Sequence, residues 1–393
     1  MSFRSLGVVE PFLTRLKELK IETPTEVQKK CIPKILQGEN IVGVGETGSG
    51  KTLSFVVPIL QELAAEPYGV FAVVLAPTRE LALQISEQFL VLSGSSVLRT
   101  CLLIGSMEHL RQVSELQRRP HIVIATPGRL AASLQRTPRS FARARFLVLD
   151  EADVLLSADF RREMDEIHRL LPSIARRLFF TATQTETLCR ATAGLGISLE
   201  TTAQAEKKID EKYLFIPEKT KESVLFCLLK GELHGRRVIV FVSCCLVCEW
   251  LSSMLSSLSV ECVRIHSKMD QADRFASIKQ FKGRSVNVLV STDIGARGLD
   301  VPSVHCVVNF DLPRTRGCYV HRIGRSGRRT KRGLSIAFVC RFDVESFLRI
   351  EEERMEEYGA VPDEAQVLRV LDRVGEAKKI AKVKAEDALS RSR

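Results

Sequence analysis

Residues 45–52 read GETGSGKT, with the apolar segment IVGV (41–44) directly before them and a helix-compatible stretch, 53–63, directly after. A match of this kind alone in a loop arises by chance, but with a strand signal before it and a helix signal after it the run predicts a strand–loop–helix unit built around an anion. Gly48 and Gly50 let the backbone close, so that successive N–H groups point into one concavity. Lys51 supplies a point charge for the outer phosphates, and the Thr52 hydroxyl is an oxygen ligand for Mg²⁺. Gly45, Glu46, Thr47 and Ser49 complete the loop. The first expectation is therefore a nucleotide held with Mg²⁺.

The rest of the chain supports an α/β architecture. Continuously apolar segments at 41–44, 70–76, 97–104, 121–125, 145–149 and 177–181 predict strands buried on both faces of a parallel sheet. Helical periodicity lies between them, including 80–91 and 160–171, and the alternation predicts a doubly wound domain. A weakly patterned stretch at 194–208, GLGISLETTAQAEKK, reads as a linker. A second series of strands is then predicted at 212–216, 237–242, 260–264, 286–290, 304–309 and 333–339. The chain thus divides into domains at 1–203 and 209–360, followed by a charged, basic helical tail at 361–393. That tail reads as a solvated or frayed helix rather than a dedicated arm for a polyanion.

At 393 residues the chain can bury two or three cores, and a hydrophobic content of 45% is that of a folded protein. A net charge of +11 fits a polyanionic partner. No run reaches the roughly 18 apolar residues of a membrane span, and the first residues lack the apolar core of a leader, so an intracellular protein without a membrane partner is expected. The eleven cysteines are scattered through apolar segments and read as reduced thiols. Cys245 and Cys248 form a C-x-x-C that no second pair or histidine completes into a zinc quartet.

The acidic run Asp150-Glu151-Ala152-Asp153 follows the strand signal at 146–149. By itself such a run is often a helix start, with acids complementing the dipole. Beside a phosphate loop, a carboxylate at the carboxyl end of a parallel strand is where Mg²⁺ sits. Asp150 is therefore the expected Mg²⁺ residue, partly through water, and Glu151 the residue that orients and deprotonates an attacking water. On the other side, APTREL (76–81) and TPGRL (126–130) each follow a strand signal and open a helix, where backbone N–H groups bind phosphate and Arg79 and Arg129 add charge.

Ten motifs in order then make the chain resemble the DEAD-box RNA helicases from Phe3 to about residue 340. They are PTEVQ (24–28), GETGSGKT, APTREL, TPGRL, DEAD, TAT (181–183), VIVFVS (238–243), QADR (271–274), STDIGARGLD (291–300) and HRIGRSGR (321–328). The resemblance implies two RecA-like domains in tandem, joined by a short linker, and an RNA-stimulated ATPase that unwinds short duplexes or remodels RNA–protein complexes. It implies that Gln28, within a segment reaching back to Phe3, hydrogen-bonds adenine, with Ile21 where relatives stack an aromatic ring. Asp300 resembles the ribose contact, and Arg325 and Arg328 the arginine fingers. Thr181, Thr183, Asp153 and His321 resemble the residues that couple ATP to RNA. Pro77, Thr78, Arg79, Gly105, Thr126, Pro127, Gly128 and Arg129 of the first domain, with Gln271, Arg274, Thr292 and Gly298 of the second, resemble those that grip the RNA backbone. Such contacts read little base sequence. Gly105-Ser106 departs from the family's Gly-Gly.

Connecting segments such as 66–89, 119–130 and 213–223 are similar to those of nucleolar members that assist small-subunit ribosomal RNA processing. This implies precursor rRNA as partner, a nuclear and nucleolar location, and a monomer open to an activating protein. The rival reading is an ATP-gated RNA clamp or assembly scaffold that unwinds little; a DNA helicase is a third.

Overall fold

The computed structural model describes all residues except 47, 95–97, 106–108, 172–175, 194–195, 202–208, 297–303, 328–331, 352–354, 361 and 392–393. Two compact units divide at residues 205 and 206. In the first, strands β1 (Asn40–Val44), β2 (Ala72–Leu75), β3 (Thr100–Leu103), β4 (Ile122–Ala125), β5 (Phe146–Asp150), β6 (Arg176–Thr181) and β7 (Ile197–Thr201) form one sheet in the order β3-β4-β2-β5-β6-β1-β7. In the second, β8 (Ile209–Phe215), β9 (Val238–Val242), β10 (Cys262–Ile265), β11 (Val288–Thr292), β12 (Cys306–Asn309), β13 (Gly333–Val339) and β14 (Glu356–Glu357) take the order β10-β11-β9-β12-β13-β8-β14. Counted from β8, the second order repeats the first strand for strand. Every pairing is parallel, with Val44 beside Thr181 and Val242 beside Thr292. Parallel strands need helical crossovers on both faces, which is why the central strands are apolar at every position. All residues of β2, β4, β5, β9 and β11 are buried.

β7 corrects the reading of 194–208 as linker. Its sequence ISLET carries polar residues because it pairs only with β1 at the sheet edge, leaving Leu199 48% exposed. The tail also differs from expectation. A helix over Glu364–Arg391 buries Val367, Val374, Ala381 and Ala385 in the same core as Trp250 and Leu251, with Val370 and Ala377 partly buried beside them. Small apolar residues at that near-heptad spacing form one stripe, and the stripe is docked rather than solvated. Lys378 adds an ion pair to Glu222 at 2.7 Å, and its ammonium lies 5.4 Å from the centre of the Trp250 ring. Val374→Ser is expected to lower the unfolding free energy of the second unit by about 2 kcal/mol, read by urea unfolding; a loss under about 0.5 kcal/mol would show that the helix is not part of that core.

Candidate active site

The order of strands in the first sheet sorts the motif residues. β5, β6 and β1 are neighbours, and their carboxyl ends carry the acidic run, TAT and the phosphate loop. β3, β4 and β2 form the other half, ending at Gly105, Thr126 and Thr78. One edge of one sheet therefore presents two distinct groups of side chains.

The phosphate loop leaves β1 at Gly45 and enters the helix Lys51–Ala65 through Gly50, a left-handed cap with φ 91°. Gly48, at φ 85°, and Gly50 bend the backbone in the region that only glycine enters cheaply. The second reason for glycine at 50 is crowding, since a Cβ there would lie 2.4 Å from Nε2 of Gln28. Gln28 is 1% exposed. Its Oε1 accepts the Thr25 N–H at 2.9 Å, closing a capping box on the helix Glu26–Leu36, and its Nε2 donates to the Gly50 carbonyl at 3.2 Å. The sequence-expected adenine residue is thus tied directly to the phosphate loop. Phe3, 3% exposed, lies in the same hydrophobic cluster as Val27, Cys31 and Ile32, and Ile21 packs against that cluster. The Lys51 ammonium donates to the carbonyls of Gly45 and Glu46. Ser49 lies in the same loop, and its buried hydroxyl has no hydrogen-bond partner among the described residues.

β5 ends on Asp150, and Glu151 follows in a left-handed conformation, φ 54° and ψ 52°. A non-glycine residue held there stores backbone strain of about 1–2 kcal/mol. The bend aims both carboxylates off the strand end before the short helix Ala152–Leu155 begins. Asp150 is 4% exposed and Glu151 8%. Burial pushes the Asp150 carboxyl up to about 7, against the opposing pull of the Lys51 ammonium. Oε2 of Glu151 is buried with no hydrogen-bond partner among the described residues. Asp153, two residues on, accepts the Thr183 hydroxyl at 2.7 Å. The Thr181 hydroxyl donates to the Thr183 carbonyl at 2.8 Å and accepts the Thr183 N–H at 3.1 Å. The Thr181 carbonyl in turn accepts the N–H of Gly45 at 3.0 Å. Phosphate loop, TAT and acidic run are one hydrogen-bonded chain.

On the other half of the edge, Thr78 caps the helix Arg79–Ser93 by accepting the Leu81 N–H, and Thr126 precedes the helix Pro127–Arg136, with Pro127 in its first turn. Pro77 leads into the first cap. Arg79 and Arg129 converge on Gly105. Arg129 donates to its carbonyl at 3.2 Å, and a Cβ at Gly105 would lie 2.4 Å from the Arg79 guanidinium. Gly128 stands apart, exposed and with no atom near where its Cβ would be.

In the second unit Gln271 opens the helix Gln271–Lys282, with Arg274 one turn on, and Thr292 ends β11 and accepts the Gly295 N–H. His321 lies in the helix Arg316–Ile323, and Arg325 in the turn beyond it, its carbonyl accepting the Val304 N–H at 3.1 Å. Thr47, Ser106, Gly298, Asp300 and Arg328 lie outside the described residues.

A family model for the DEAD/DEAH box helicases matches residues 25–191, and one for the helicase conserved C-terminal domain matches 220–330. The chain is 39% identical over 402 residues to the probable ATP-dependent RNA helicase DDX49 of Homo sapiens, covering 98% of this chain and 83% of that one. This chain belongs to the DEAD-box helicase family. It is 40% identical to the ATP-dependent rRNA helicase rrp3 of Aspergillus terreus, over 98% of this chain and 88% of that protein. Among solved structures, Mss116p bound to single-stranded RNA and AMP-PNP matches with a TM-score of 0.83 at 29% identity, covering 95% of this chain and 82% of that one. Dbp5 of S. cerevisiae bound to RNA and ADP BeF3 matches with a TM-score of 0.80 at 26% identity, covering 98% and 99%.

This DEAD-box chain fits ATP with Mg²⁺ on its own chemistry. Among the described residues no group of three or more His, Cys, Asp or Glu side chains is gathered to hold a metal. A divalent ion would therefore draw on Asp150, the Thr52 hydroxyl, phosphate oxygens and water, the pattern of Mg²⁺ with nucleotides. A cation there would hold the Asp150 carboxylate ionised against its burial.

One buried residue escaped the sequence reading. Arg322, 2% exposed, donates to both carboxylate oxygens of Asp293 at 2.5 and 2.9 Å, to Oδ1 of Asn309 at 3.1 Å and to the Asp311 carbonyl at 2.6 Å. Its guanidinium lies 5.1 Å from the centre of the Phe241 ring. It thus fastens the carboxyl ends of β9, β11 and β12 together. The signal was its place inside HRIGR, where a basic run masks a core arginine.

Proposed function

We infer that this chain, an ATP-dependent RNA helicase, works on precursor ribosomal RNA of the small subunit in the nucleolus, as a monomer that an activating protein can stimulate. The activity class is that of its family; the relative named as an rRNA helicase, rrp3, supports the rRNA assignment. The observation that carries the mechanism is the unbroken path from Gly45 through Thr181 and Thr183 to Asp153, because it makes the phosphate loop and the acidic run move as one body. We assign Gln28, with Phe3 and Ile21 supporting its helix, to the adenine end. Residues 45–52 hold the phosphates, with Asp150 and Thr52 on Mg²⁺ and Asp300 on the ribose. Glu151 takes the proton of the attacking water. Arg325 and Arg328 stabilise charge on the transferring phosphoryl group when the two units close on ATP and RNA.

The convergence of Arg79 and Arg129 on Gly105 supports assigning the β3-β4-β2 half to the RNA backbone. Closure that bends one strand would release its partner, and hydrolysis would reset the cleft. The test pairs RNA-stimulated ATP turnover and duplex displacement with an RNA off-rate. Stimulated turnover with strand release is expected. Slow RNA release without unwinding would identify a clamp, equal stimulation by DNA would remove the RNA assignment, and crosslinking in cells that recovers no precursor rRNA would overturn the substrate.

Gly128 offers a separate check. Nothing in the described chain crowds it, so Gly128→Ala should leave the fold intact or raise its stability by up to about 1 kcal/mol, as expected in a helix. If RNA phosphates approach that first turn, the added methyl should nevertheless weaken RNA binding by about tenfold, measured by anisotropy; unchanged affinity would remove Gly128 from the RNA surface.

A further inference from the structure

A second chemically distinctive group sits where β9 ends. Cys245 is in the first turn of the helix Cys245–Ser257 and is partly exposed, with its Sγ 3.5 Å from the Ser267 hydroxyl. Beside it, His266 has only 1% of its side chain exposed. Nε2 of His266 meets Oε1 of Glu249 at 2.7 Å, and Oε2 of Glu249 meets Nε of Arg264 at 2.8 Å. A carboxylate only accepts, so Nε2 carries the proton and Nδ1 of the neutral ring is a lone pair. That Nδ1 is buried with no hydrogen-bond partner among the described residues, and Cys245, held against Ser267 of the next position, is the thiol that influences the ring.

We propose that Cys245 is a modification site, a thiol activated by His266 and Glu249, whose oxidation by a hydroperoxide and capping by a small thiol weakens RNA binding at the second unit. Nδ1 accepts the thiol proton, Glu249 positions and stabilises the resulting imidazolium, and the helix N-terminus favours the thiolate. The His266 ring is the largest influence lowering the Cys245 pKa, to about 7, against the raising effect of burial; Ser267 and the backbone N–H of Lys268 assist. Neighbouring thiols differ. Cys248 is enclosed and burial pushes its pKa up, while Cys244 is exposed on the preceding residue.

The chemistry closes on groups at hand. The thiolate attacks one oxygen of hydrogen peroxide, an S–O bond forms and the O–O bond breaks. Sulfur is oxidised by two electrons as the peroxide is reduced, and the departing hydroxide leaves as water with the proton from His266. The sulfenic acid then condenses with the glutathione thiol, forming S–S and releasing water. β10, β11 and β9 are adjacent, so the adduct joins the sheet edge that carries Gln271 and Thr292. Its effect on RNA rests on the assignment of those residues to the RNA backbone.

The experiment has two arms on the full chain. With iodoacetamide near pH 7, cysteine-resolved mass spectrometry should show Cys245 alkylated about threefold faster than Cys244, the higher thiolate fraction outweighing the lower nucleophilicity of a more acidic thiol. His266→Asn and Glu249→Gln should each remove that advantage while leaving the rate at Cys189 unchanged; the Glu249 variant serves if the buried histidine cannot be replaced. Equal rates at Cys244 and Cys245 in the wild type would overturn the activated thiol. In the second arm, peroxide followed by glutathione should lower the affinity for a short single-stranded RNA by about tenfold, with protection in Cys245→Ser and none in Cys244→Ser. Untreated protein that fails to bind RNA would instead refute the RNA assignment. Untreated protein that binds, with a Cys245 adduct confirmed by mass and affinity unchanged, would refute the regulation alone.

Discussion

Exchanging Glu151 for glutamine is expected to lower RNA-stimulated ATP turnover by about 10²–10⁴-fold, the usual contribution of a positioned general base. The substitution keeps the side chain's shape and the left-handed turn at φ 54°, so the fold and nucleotide binding should persist. What it removes is the assigned proton acceptor, whose Oε2 is buried with no hydrogen-bond partner among the described residues. A buried carboxylate oxygen left without a donor is costly for folding, and its retention fits a role completed by a bound water. Single-turnover measurement should show ATP and RNA trapped together. Turnover within about threefold of wild type, or rapid release of RNA from the ATP-bound variant, would take Glu151 out of the base role.

The second large effect should be structural. Arg322→Met is expected to cost the second unit about 3–5 kcal/mol, because it strands Asp293 without its bidentate partner and removes the donors to Asn309 and the Asp311 carbonyl. Lysine is not a substitute, since one ammonium cannot reproduce a fork that reaches three strand ends. Unfolding in urea should show the loss confined to the second transition. Arg325, three residues further on and also buried, carries the assigned site role, and Arg325→Ala is expected to abolish stimulated turnover. Stimulated turnover within about threefold of wild type would remove Arg325 from the site.

Much of the architecture was legible because parallel strands covered on both faces read as unbroken apolar runs. VVL in β2, FLVL in β5 and VIVFV in β9 could scarcely be anything else. At one edge of each sheet the strand was not legible: β7 pairs with β1 alone and tolerates Glu200 and Thr201, and β14 is two glutamates. The opposite edges, β3 and β10, overlap the expected segments 97–104 and 260–264. The tail was misread because charged residues are frequent along it, whereas Val367, Val374 and Ala381 decide where it lies. At the site, residue types and spacing identified the phosphate loop and the acidic run. They did not reveal that the Gln28 amide is bonded to the Gly50 carbonyl, since that contact spans 22 residues and depends on two helices meeting. Nor did they show that Arg322 is enclosed, because enclosure is a property of the folded chain.

The docked helix at Glu364–Arg391 also bears on how the molecule is made. The first unit has all its strands once residue 201 has been synthesised, and can fold while translation continues. The second cannot complete its core, since the cluster that holds Trp250 and Leu251 also takes Val367, Val374, Ala381 and Ala385. At ordinary elongation rates that interval lasts roughly ten to thirty seconds, during which half a core faces solvent beside an already folded neighbour. Chaperone demand in this protein should therefore fall on its later half, and a ribosome stalled shortly before residue 364 should hold a native first unit attached to an unfinished second.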